Sequence, residues 1–258
     1  MPLITPAAVA LVVLSVVASV ADGQRGDTIY ADVGSPAIDG RIFKPHAARV
    51  RIYRGDSLVA QWLNELRLGD SAGRPVMRWV TTGEAVPLTP NRVLSVLRQT
   101  YDAATMAPLG YSSQANNGAW SSLGIDGNRV RGKRRTAADP TIHNVDITLD
   151  RPGFFSGASD LVPVAAGLRT GTVIVAPLWS PTVASPEYRV FAVLGDTTLN
   201  IEGQRVRARK VEERRRSDRS LYANWYLLTT EPYMVYGEVP LSDGRVQRMT
   251  EVGVPLRP

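Results

Sequence analysis

Few residues in this chain are equipped for chemistry, and their spacing limits what they can do. There are two histidines, His46 and His143, and no cysteine among 258 residues. Disulfides, thiolate metal sites and sulfur nucleophiles are removed together. A histidine-based metal site would need carboxylates to complete it, and neither ring has them at metal-ligand spacing. His143 stands just ahead of a predicted strand beside Asn144 and Asp146, where a histidine bonded to its neighbours is the plain expectation. His46 follows Pro45 in a polar stretch and is expected in an exposed loop. Asp139, Asp146 and Asp150 are separated by seven and four residues. That spacing fits no EF-type loop, and turn or strand-face acids account for it. There is no Gly-x-Ser-x-Gly elbow, no His-Glu-x-x-His helix, no P-loop and no dinucleotide glycine pattern. The expectation is a protein that is not an enzyme and carries no cofactor and no metal.

The basic residues are more informative. The formal charge is +6 and the pI about 9.8. From Arg205 to Arg219 there are eight basic residues against three acids, and a second cluster runs Arg129, Arg131, Lys133, Arg134, Arg135. Arg205, Arg207 and Arg209 alternate with Val206 and Ala208, so they share one strand face, as do Arg129 and Arg131 around Val130. Arginines aligned this way repel each other unless cross-strand acids or an anionic ligand offset them. One reading is a site for anionic envelope polymer or lipid head groups. The plainer one is a solvated face partnered by acids such as Glu202, Glu212 and Glu213. Nucleic acid is a poor third partner, because the basic stretches lack interleaved aromatics for stacking.

Aromatic side chains gather towards the C-terminal half, among them Trp179, Trp225, Tyr226, Tyr233 and Tyr236. They are candidates to line a groove for a lipidic or hydrophobic ligand, against the commoner role of strand aromatics as core.

The first 21 residues carry no charged side chain, and Ala7 to Ala21 is an apolar run broken only by Ser15 and Ser19. Its length suits a signal-peptide h-region and is short for a membrane span. Residues 1–23 are thus expected to be a signal peptide, with a retained anchor as the rival, since the n-region lacks Lys and Arg. No cysteine follows to take a lipid. Export to the periplasm or the extracellular space is expected, with no transmembrane span after signal removal.

Residues 24–258 read as a single β-rich domain with an irregular N-terminal lead-in. Its 22 glycines and 18 prolines are scattered as punctuation, which favours many short strands. Clear alternation marks Arg49–Tyr53, Pro75–Thr82, Arg92–Tyr101 and Val145–Leu149 as strands, while Leu58–Leu68 reads equally as strand pair or short helix. Asn116-Asn117-Gly118, Asp126-Gly127-Asn128 and Ser242-Asp243-Gly244 are hairpin turns. One short helix is expected within Phe154–Gly167, capped by Ser159 or Asp160 and stopped by Gly167. Strands follow at Gly171–Leu178, Tyr188–Leu199, Gln204–Arg214, Leu221–Thr230, Tyr233–Leu241 and Arg245–Val254, for some ten in all.

Three blocks carry a resemblance: Tyr101-Asp102-Ala103-Ala104-Thr105-Met106-Ala107-Pro108; the run from Asp160-Leu161-Val162-Pro163 to Gly171; and Trp225-Tyr226-Leu227 leading to Tyr233-Met234-Val235-Tyr236-Gly237-Glu238 and Asp243-Gly244-Arg245. From Thr100 onward the chain resembles the exported bacterial proteins of the domain of unknown function 3108 family. The resemblance implies a mainly β protein, a curved antiparallel sheet similar to the half-barrels or open barrels of lipoprotein carriers, with a helix near the concave side. It supplies no catalytic motif. Between Val206 and Glu213 arginines replace the family's small, glycine-containing stretch. The function expected is a non-enzymatic envelope binding or carrier protein for a lipidic or hydrophobic ligand. The alternative is an interaction protein working through its arginine face.

Overall fold

A computed structural model describes residues 26–86, 94–228 and 233–254. The predicted signal peptide lies outside the described residues, as do the start of the strand expected from Arg92 and the last two residues of the one expected to end at Thr230.

Among the described residues sixteen strands follow in chain order: β1 (Thr28–Tyr30), β2 (His46–Arg54), β3 (Ser57–Ser71), β4 (Arg74–Glu84), β5 (Ser95–Asp102), β6 (Pro108–Ala115), β7 (Trp120–Asp126), β8 (Arg129–Arg135), β9 (His143–Thr148), β10 (Phe154–Phe155), β11 (Val173–Trp179), β12 (Glu187–Ile201), β13 (Gln204–Arg215), β14 (Leu221–Leu228), β15 (Met234–Pro240) and β16 (Val246–Gly253). All belong to one open sheet, in the order β1, β11 to β16, then β2 to β9, with β10 also beside β11. Neighbours are antiparallel, except that β1 and β10 run parallel to β11. The expected half-barrel or open barrel is what forms, with more strands than the sequence pattern separated. Leu58–Leu68 falls in one long strand, β3. Polar Asn64 sits on its inward face between Trp62 and Leu66, which blurs the alternation.

Two meanders, β2–β9 and β11–β16, meet where β16 pairs with β2 and Met249 lies opposite Ile52. The chain must therefore travel from β9 at one edge back to β11 near the other. It crosses the concave face through β10 and a short helix, α1 (Leu161–Ala165). All five helix residues are buried, as expected of a helix too short to stand without packing. Gly167, at φ +95°, ends it. Its N–H donates to the Val164 carbonyl at 2.9 Å, and the Leu168 N–H donates to that of Pro163 at 3.2 Å, a Schellman pair that satisfies the last carbonyls.

One hydrophobic cluster includes Val50 on β2, Met77 on β4, Tyr101 on β5, Val130 on β8, Ile174 on β11, Phe191 on β12 and Leu227 on β14, with Leu161 and Val164 of α1. Strands so far apart in the ladder can share one core only if the sheet curls around the helix. Phe155 of β10 shows how far: its ring lies 5.4 Å from Tyr101, 5.7 Å from Tyr111 and 5.9 Å from Trp179.

His46 corrects its sequence-based placement. It is the first residue of β2, half-buried, and not an exposed loop residue. Pro45 restricts its own backbone and the residue before it but not the one after, and pairing with β3 draws His46 into the sheet.

Candidate functional site

Where the two meanders join, the crossing segment stops short of the sheet and leaves a cavity of about 260 Å³. Trp62 and Asn64 of β3, Trp79 of β4 and Val50 of β2 form one wall. Tyr222 and Trp225 of β14 form another, with Met234 of β15 and Gln247, Met249 and Glu251 of β16 between them. Ser156, Gly157, Ser159 and Asp160, just ahead of α1, supply the roof. The aromatic wall depends on Gly237 of β15. A Cβ there would stand 3.0 Å from both the Trp225 ring and the Met249 methyl, so a side chain would displace the indole.

Three carboxyl groups lie in or behind this cavity. Glu213 of β13 is fully buried behind Trp225. It accepts hydrogen bonds from Trp225 Nε1 at 2.7 Å, Ser159 Oγ at 3.2 Å and Arg189 Nη1 at 3.2 Å. Burial outweighs this pairing and pushes its carboxyl up to about 7. Arg189 also pairs with Glu187 at 2.9 Å and stacks 3.9 Å over the Tyr222 ring. Glu251, its side chain 5% exposed, lies 3.0 Å from His46 Nε2. Burial raises its pKa, against the lowering effect of the histidine. The imidazole is held in turn by Tyr233, stacked 3.7 Å away at 10°, whose hydroxyl donates to the Lys44 carbonyl. Asp160 retains some exposure to the cavity. Burial, then the charges of Glu251 and Glu213, push it up to about 7. Among the described residues no basic side chain pairs with it.

The structure disperses the aromatic residues singled out from the sequence. Trp225 lines the cavity, and Tyr233 acts one step behind it through His46. Trp179 is buried elsewhere, its Nε1 donating to the Val183 carbonyl at 3.1 Å. Tyr226 and Tyr236 pack together on the outer face, ring centroids 5.3 Å apart. There burial and Glu238 push the Tyr236 hydroxyl up to about 12.

The arginines find acids across the strands. Arg207 and Arg209 converge on Asp196 at 2.7 and 2.6 Å, and Arg129 and Arg131 share Asp146 at 3.0 and 3.7 Å. Both carboxyls are held below the usual carboxylate range by these guanidinium groups. Arg205 is exposed, with no ion pair among the described residues. The three acids considered as a cluster go separate ways: Asp139 to His143 at 2.7 Å, Asp146 to the arginines, Asp150 to Arg151 at 3.3 Å.

A second recess of about 420 Å³ lies between the inner face of β6–β9 and the loop after β11. Tyr111, Leu123, Val130, Val145, Ile147 and Trp179 line it, with Arg134 and Arg135 at its rim.

Sequence reasoning missed Trp62, Trp79, Asp160, Glu213 and Glu251 as site residues. Strand parity held a signal for two of them. Glu213 shares a face with Val211, and Glu251 with Met249, so each puts an acid on an apolar face. Among the described residues no helix is long and apolar enough to cross a membrane. No family model, curated protein or solved structure matches this chain.

Proposed function

We propose that this is an exported, non-enzymatic binding module of the cell envelope that holds a small amphipathic ligand in the cavity beneath α1. The observation that carries the reading is the cavity itself: a concave, partly open recess walled by three tryptophans and edged by a few polar groups, the usual make-up of a small-molecule site. Its volume suits a ring or a short chain. The crossing segment through β10 and α1 packs into the core beside this cavity, which leaves little room there for a long acyl chain. Export is supported by the uncharged, apolar N-terminal run. A binding role is supported by how the polar groups are used: Ser159 donates to Glu213, whose oxygens are also engaged by Arg189 and Trp225. The serine's proton is committed to a carboxyl that already has two other donors, which suits a group that anchors the wall.

Protein purified without refolding is to be extracted with organic solvent and the extract analysed by mass spectrometry. A small molecule is expected from the wild type and not from Trp62→Ala. A clean extract, together with unchanged tryptophan fluorescence on titration with short-chain and aromatic amphiphiles, overturns the reading.

A further inference from the structure

We propose that the cavity beneath α1 takes a small organic ammonium, a primary or quaternary amine carried on a ring-sized apolar body. The inference rests on the cavity being the ligand site and adds the charge of the ligand.

Three observations converge. The chain carries a net charge of +6, yet the charged residues lining the cavity are Asp160 and Glu251, with no lysine or arginine among the described lining. The walls include Trp62, Trp79 and Trp225, rings of the kind whose faces attract a cation through their quadrupoles, most strongly when water is excluded, while the Tyr222 ring already carries Arg189. Two of the three acids already have a basic partner, the Arg189 guanidinium for Glu213 and the His46 ring for Glu251. Asp160 has none among the described residues, and a bound ammonium supplies one. A neutral guest leaves that carboxyl uncompensated, and an anion meets two like charges.

The acid is also poised to respond. Facing Asp160 are Glu251 of β16 with its partner His46 of β2, Glu213 of β13 with its partner Arg189 of β12, and Tyr101 of β5. Burial and the two carboxylates push Asp160 up to about 7. Binding a cation therefore expels a proton from it, and affinity rises with pH across neutrality.

The experiment is a titration of the full chain, followed by tryptophan fluorescence, with benzyltrimethylammonium and with benzyl alcohol at pH 6 and pH 8. The ammonium, whose charge is independent of pH, is expected to bind about tenfold tighter than the alcohol at pH 8. It is expected to lose about tenfold in affinity at pH 6 while the alcohol does not change. Asp160→Asn should remove most of the preference and most of the pH dependence while keeping the alcohol. Glu251→Gln, which keeps a hydrogen bond to His46, should weaken the preference by a smaller factor and decides the matter if Asp160→Asn does not fold. Equal binding of the two probes, or a preference that survives in both variants, overturns the inference and leaves the cavity as a ligand site. Binding of neither probe overturns both.

Discussion

Two recesses open on the inner face of one sheet, and they are built in opposite ways. The cavity beneath α1 is small, lies at the seam of β16 and β2, and is walled by tryptophans and acids tied into a buried network. The recess over β6–β9 is larger, lies against the free edge of the sheet, and is apolar with arginines at its rim. In the first, side chains are held by hydrogen bonds at some cost in burial. In the second, they rest on strands such as β9, whose residues are mostly exposed. The contrast teaches where specificity can reside: polar groups buried and oriented discriminate between ligands, whereas an apolar shelf mainly rewards contact area.

The largest test breaks the network. Arg189→Met leaves Glu213 buried without its cation and should cost about 3–5 kcal/mol at pH 8. The matching change at the other recess, Arg134→Met, should stay within about 0.5 kcal/mol. Urea unfolding measures both, and equal losses would erase the contrast.

The pH dependence of stability comes next. Glu213 and Asp160 have folded-state pKa values raised to about 7. Between the ordinary carboxylate range and about 7 the folded chain holds protons that the unfolded chain has released. Stability therefore falls as pH rises through that window and levels off above it, by about 3 kcal/mol for Glu213. Below the ordinary range the sign reverses, because Asp146 and Asp196 are held low by their arginines and lose those pairs on protonation. Glu213→Gln should shrink the neutral limb to the share that Asp160 contributes and leave the acid limb alone. A neutral limb of unchanged size would mean that Glu213 is not among its sources.

Trp225→Phe removes the donor 2.7 Å from Glu213 and should cost about 1–3 kcal/mol. Trp120→Phe, in the lining of the other recess, should cost less than half as much, both read by thermal unfolding. Smallest of all is Arg207→Ser. Its exposed pair with Asp196 is duplicated by Arg209, so the loss should be below about 0.5 kcal/mol and should shrink further with added salt.

Much of the scaffold was legible in the sequence. Alternation marked β9, the intervening turns marked the strands of the C-terminal half, Gly127 at φ +58° and its neighbours marked the β7–β8 turn, and Gly167 marked the end of α1. The site was less legible, for physical reasons. The pairing of β16 with β2 joins residues some two hundred positions apart in sequence, and no local pattern specifies such a register. Glu213 is camouflaged by Glu212 and Arg214 on either side, although its parity with Val211 turns it inward. Asp160 looked like a helix cap, but its side chain makes no capping bond and faces the cavity instead. The arginines were read correctly as sharing a strand face, and what the sequence could not supply was the single aspartate on which Arg207 and Arg209 converge.

The most direct measurement is a crystal structure of the protein grown in saturating benzyltrimethylammonium at pH 8. The account predicts the probe's ring among Trp62, Trp79 and Trp225, with its ammonium group turned towards Asp160 and Glu251. An empty cavity, or a probe seated against Trp179 in the recess over β6–β9, would contradict it.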